Sequence, residues 1–65
     1  MEYGKITGVV KTETDKAVLV VVDGEEHWIP RSCFKRILKT PTKTEIKFEA
    51  DVSFWFLNKN KIYHE

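Results

Sequence analysis

Residues 17–32, Ala-Val-Leu-Val-Val-Val-Asp-Gly-Glu-Glu-His-Trp-Ile-Pro-Arg-Ser, limit what this chain can become more than any other stretch. Ala17 to Val22 is an uninterrupted apolar run, too short for an independent helix and rich in valine, which favours strands. Asp23-Gly24 supplies the backbone freedom of a tight hairpin turn. A second strand follows, and Pro30 ends it because proline has no amide hydrogen for a ladder. The unbroken apolar run predicts a strand buried on both faces, the central strand of a sheet. The turn leaves two registers open. A two-residue turn sets Leu19 opposite Trp28, and a three-residue turn with a bulge sets Val20 there. One residue of slip carries Trp28 to the other face of the sheet.

The flanks extend the β reading. Residues 3–12 form a first strand in which Ile6, Gly8 and Val10 share a face, and an internal glycine marks a bulge or sharp bend. Glu13 to Lys16 is a polar turn. After Pro30, Ser32 is a candidate cap for a single helical turn through Lys35. Phe34 to Lys39 is either the tail of that turn or a short strand, and Thr40-Pro41-Thr42 reads as a loop. Thr44 to Ala50 alternates, with Ile46, Phe48 and Ala50 on one face and Glu45, Lys47 and Glu49 on the other, as a half-buried strand does. Residues 53–60 are a short helix with Ser53 at its N-cap, or another strand, given Phe54, Trp55 and Phe56. Asn58 and Asn60 mark either the helix end or the turn of a last hairpin before Ile62 and Tyr63.

The fold expectation is one domain over residues 1–65. It is a mainly antiparallel β domain of four to five strands, curled like an SH3-type or OB-type barrel, with a short C-terminal helix over one open end. Sixty-five residues bury only about 60% of their unfolded surface, so the core is small. A deep catalytic pocket, commonly about 300 Å³ or more, fits such a chain poorly. Cys33, the single cysteine, cannot close an intrachain disulfide and lacks the close-spaced ligands of a zinc site. No cofactor or metal is expected. The start of the chain lacks the basic and apolar regions of a signal peptide. No apolar run approaches the roughly 20 residues of a membrane span. A reduced, cytoplasmic setting follows as the expectation.

Eleven basic and ten acidic residues nearly cancel. Their distribution is uneven. From Arg31 to Lys47 there are six basic residues against one acid, Glu45. Arg31, Lys35, Arg36, Lys39 and Lys43, with Phe34 among them, have the basic-plus-aromatic composition of a nucleic-acid surface. The bland alternative is an ordinary solvated face. Trp28 and Trp55 are either core-closing side chains or exposed anchors for a base or a protein partner. His27 beside Glu25 and Glu26, with Ser32 and Cys33 nearby, does not amount to a catalytic set, because adjacency in sequence is not triad geometry.

Lys16-Ala17, Asp23-Gly24, Trp28-Ile29-Pro30-Arg31-Ser32 and the closing segment from Val52 to Ile62 together resemble small uncharacterised phage and prophage proteins. Those proteins carry Lys-Ala, an apolar strand, an Asp-Gly turn and Trp-Ile-Pro-Lys/Arg-Ser. The chain departs from them at Phe56-Leu57 and in having no glycine at the helix end. The resemblance implies a terminal helix and a viral origin, hence a host cytoplasm, and no activity. The functional expectation is a non-enzymatic binding module. It would contact nucleic acid through Trp28, Arg31, Phe34, Lys35, Arg36, Lys39 and Lys43. The alternative is a protein–protein module such as a viral accessory factor or an inhibitor of a host protein. Either would act as a monomer or a homodimer paired through sheet edges.

Overall fold

The computed structural model describes residues 2–62 and 64. Strands β1 (Tyr3–Glu13), β2 (Ala17–Val22) and β3 (Glu25–Pro30) are followed by a 3-10 turn, Arg31–Cys33. Strands β4 (Phe34–Pro41) and β5 (Ile46–Ser53) and helix α1 (Phe54–Lys59) complete the chain. All five strands form one antiparallel sheet in the order β3-β2-β1-β5-β4. The small, mainly β fold with a short C-terminal helix is the expected one. The ladder does not close, because β3 and β4 remain edges.

Those edges are consecutive in the chain, and this shapes the sheet. From Pro30 to Phe34 the backbone can reach at most about 15 Å, four Cα steps. In a flat sheet, edge strands four spacings apart would lie about 19 Å from each other. Because alternate strands run in opposite directions, the end of β3 and the start of β4 would also sit at opposite ends of that sheet. The sheet must therefore coil to bring the end of β3 near the start of β4, wrapping one face around the core while the rest of the β3 edge stays unpaired. Ile6, Val10, Val18, Val20, Val22, Ile29, Phe48, Ala50 and Val52 fill that inner face, joined by Cys33, Leu57 and Ile62.

Two glycines make this geometry possible. Asp23 and Gly24 both have positive φ, 51° and 81°, as a two-residue turn of the primed type requires. At Gly8 a side chain would collide with backbone, since a Cβ there would lie 2.0 Å from the Val21 carbonyl oxygen. Gly8 thus marks the close approach of β1 and β2. The bulge falls between Val10 and Thr12 instead, where the β1–β2 register shifts. It turns Glu13 toward the inner side, opposite Val18.

Several expectations change. The middle strand is β1, paired along Tyr3↔Ser53 to Val10↔Ile46 with β5. β2 lies one place from the edge and alternates between buried and half-buried residues, so only one of its faces is fully covered. The helical turn after Pro30 is a 3-10 turn with no side-chain cap. Thr40 and Pro41 belong to β4 and are not a loop.

Helix α1 starts after Ser53, whose hydroxyl makes no cap bond and donates to the Cys33 carbonyl at 3.4 Å. Six residues cannot hold a helix alone. Packing against β1 and β5 holds this one, with Leu57 fully buried. Its end is a Schellman arrangement: the Ile62 N–H donates to the Leu57 carbonyl and the Lys61 N–H to the Asn58 carbonyl. Lys61 takes the left-handed position, φ 54°, that glycine usually fills. The alternative of a last hairpin is replaced by this turn up to Ile62, and Tyr63 lies outside the described residues.

Candidate interaction surface

The Asp23-Gly24 turn settles the register left open by the sequence. Leu19 lies opposite Trp28, Val18 opposite Ile29 and Val20 opposite His27. Ile29 is fully buried, so its neighbour Trp28 points to the outer face, where it is 51% exposed. The reading in which both tryptophans close the core is overturned, because Trp55, on α1, is 56% exposed. The core is closed instead by Leu57 and Ile62, with Phe34, Phe54 and Phe56 packed partly against it.

On the outer face, Trp28 has Leu19 directly across from it, and Leu19 in turn faces Thr12. Val21 sits next along β2 on the same face and is paired with Val9 of β1. Ala17, Leu19, Val21 and Val9 are all half-buried. One apolar patch therefore runs from the middle strand to the β3 edge and ends at the indole. A Lys11 Nζ–Glu26 Oε2 ion pair of 2.6 Å reaches from β1 to β3 and crosses this patch over β2. Sequence reasoning did not single out Leu19, Val21 and Val9. The signal was the two-residue turn: once it is assumed, strict alternation puts Leu19 and Val21 on the Trp28 face, while Val9 joins them through its pairing with Val21.

The seven residues expected to contact nucleic acid, Trp28 and the strip at 31–43, do not form one continuous surface. Arg31 turns back on the β1–β2 turn. Its Nε and Nη2 donate to the Thr14 carbonyl at 3.0 and 2.9 Å, and Nη2 meets Glu13 Oε1 at 3.2 Å. Lys39 reaches the same Glu13 oxygen at 2.6 Å. Phe34 is half-buried against the core. Lys35 sits over the Tyr3 ring, 5.2 Å from its centre. A register shift between Phe34 and Arg36 sends the Arg36 side chain to the outer face, 3.8 Å from Asp51. Lys43 lies in the β4–β5 turn, which Thr42 closes by hydrogen bonds to Glu45. Trp28 lies on β3, at the opposite edge of the sheet from the β4 residues.

Electrostatics follow from this pairing. Lys5, Lys11, Arg31, Arg36 and Lys39 are all in ion pairs with carboxylates. Glu13, receiving both Lys39 and Arg31, has its carboxyl pKa held below the ordinary glutamate value, chiefly by the Lys39 hydrogen bond. A shallow depression over β4 and β5 is lined by Leu38, Thr40, Lys47, Phe48 and Glu49. It brings together no set of groups for acid–base or nucleophilic chemistry. Among the described residues no helix is long and apolar enough to cross a membrane.

Comparisons with known proteins return nothing: no family model, no curated protein and no solved structure matches the chain.

Proposed function

We propose that the chain is a non-enzymatic protein-binding module whose contact surface is the outer face of β2 and β3, centred on Trp28. The supporting observation is the position of the indole: on a short hairpin, 51% exposed, and flanked by Leu19 and Val21. A large aromatic held on a rigid element beside aliphatic neighbours and rimmed by charge has the make-up of an interface hot spot. In the phage setting that the sequence resemblance implies, such a module would act as an accessory factor or inhibitor on a larger host protein. Phosphate binding draws less support, since Arg36 and Lys39 are already engaged by carboxylates and Arg31 commits Nε and Nη2 to Thr14 and Glu13.

The test compares proteins captured from host lysate by the wild type and by Trp28→Ser, with circular dichroism confirming that both are folded. Species recovered by the wild type and lost with Trp28→Ser support the reading; identical recovery overturns it. A parallel titration with labelled oligonucleotides at two salt concentrations examines the other class. Salt-sensitive binding that falls when Lys43 and Lys47 are changed to Glu would move the function to nucleic acid.

A further inference from the structure

The β3 edge carries the proposed surface to a place where another strand can join it. In this hairpin the pairs Val22–Glu25, Val20–His27 and Val18–Ile29 exchange backbone hydrogen bonds, as a two-residue turn dictates. The Arg31 N–H donation to the Lys16 carbonyl at 2.9 Å continues that alternation. The N–H and C=O groups of Glu26 and Trp28 therefore point away from β2, toward the open edge. Pro30, the next outward position, offers a carbonyl but no N–H.

The other edge is guarded. β4 carries Lys35, Arg36 and Lys39, is bulged after Phe34 and ends at Pro41. These are the usual devices against strand pairing. On β3 charge and proline stand only toward the ends, at Glu25, Glu26 and Pro30, there is no bulge, and His27-Trp28 in the middle is unguarded.

We infer that a second copy of this chain pairs with the β3 edge, antiparallel, about a twofold axis at His27. The inference rests on the Trp28 surface being a protein interface and names its occupant. Three features of β3 select this partner and register. First, centring on His27 pairs Glu26 with Trp28 of the other copy twice over, completing all four outward backbone bonds. Centring on Trp28 would oppose Glu26 to Pro30 and lose an N–H donor at both ends. Second, the His27-centred register makes the two Trp28 side chains diagonal neighbours on one face, about 7–8 Å apart at the backbone and within aromatic reach. Each indole then covers part of the other's exposed surface, and the two patches merge. Third, the strand has ends of opposite charge. Asp23, Glu25 and Glu26 stand at its start and Arg31 just beyond its end. Antiparallel pairing sets the acidic start of one copy beside Arg31 of the other. Nη1 of Arg31 takes no part in its bonds to Glu13 and Thr14.

The register makes a positional prediction. His27 faces its own counterpart as a non-hydrogen-bonded pair, with Cα atoms about 4.5 Å apart, inside the disulfide range. Two measurements test the pairing. Sedimentation of the wild type from micromolar to millimolar concentration should show the mass rising from 7.6 kDa toward twice that value. Glu26→Pro, which removes an outward N–H and leaves the β2–β3 ladder intact, should stay single. In a Cys33→Ala background, His27→Cys should oxidise to a covalent dimer at least tenfold faster than Thr7→Cys, placed on exposed β1 surface. A single mass at every concentration, or equal oxidation rates, overturns the inference. If the mass stays single while Trp28-dependent capture from lysate persists, the surface stands and the second copy is the wrong occupant. If capture is also unchanged by Trp28→Ser, both readings fall.

Discussion

Lys39 Nζ lies 2.6 Å from Glu13 Oε1, joining β4 to the end of β1 across 26 positions of sequence. No ladder links these two strands. Arg31 reaches the same carboxylate from the turn that joins the two edges. Side chains thus tie together a sheet that backbone bonds leave open.

That carboxylate sets an acid limit. Its pKa is lowered in the fold, so it contributes stability above the ordinary glutamate range and loses that contribution as pH falls through the folded value. Glu13→Gln should cost up to about 1 kcal/mol at neutral pH, since the cluster is partly exposed. It should also flatten part of the stability loss below about pH 5, where glutamates begin to protonate. Urea melts of both proteins between pH 7 and pH 3 check this; parallel pH profiles would remove Glu13 from the account.

The two conformationally important glycines should respond differently to alanine. At Gly8 the new Cβ meets the Val21 carbonyl at 2.0 Å, so two strands must separate. A loss of about 3 kcal/mol or more is expected, or failure to fold, on the scale of backbone strain and overpacking. At Gly24, φ is +81° and the surrounding space is open, leaving only the left-handed penalty of about 1–2 kcal/mol. Thermal melts should rank Gly8→Ala well below Gly24→Ala.

Trp28 and Ile29 are neighbours with opposite roles. Ile29→Ala should cost about 2–5 kcal/mol, as a fully buried aliphatic does. Trp28→Ala should change monomer stability by no more than about 1 kcal/mol, because half of its surface is already in water. Chemical denaturation of dilute protein measures both, and comparable losses would mean the indole supports the fold.

Lys61 holds a backbone position suited to glycine. Lys61→Gly should stabilise the protein by about 1 kcal/mol by relieving the left-handed conformation. A lower melting temperature would show that the Lys61 side chain has a role outweighing that relief.

Much of this fold was legible in local chemistry. Asp23-Gly24 specified the hairpin, and the alternation around Phe48 specified β5. The face of Trp28 was not legible, because it hung on one residue of register that the strand sequences do not encode. The valine run misled because half-buried outer positions on β2 are aliphatic too. The basic strip looked continuous because sequence spacing hides three things. Alternation sends neighbours to opposite faces, a register shift at β4 re-aims Arg36, and Glu13 draws in cations from 18 and 26 positions away. The helix end was obscured because Lys61 occupies a position where glycine would have announced it.

The β1–β5 ladder has a consequence for how the molecule comes apart. It is the one strand pairing that joins the meander β1-β2-β3 to the hairpin β4-β5. Each of those pieces forms through contacts close in sequence, and each leaves its apolar face bare without the other. Its pairs, from Val10↔Ile46 to Tyr3↔Ser53, lie about 36 to 50 positions apart, the long-range contacts that form slowly by contact-order arguments. Folding should therefore be limited by formation of this seam. Once formed, it gives the two halves a common melting point, since neither half alone encloses a core.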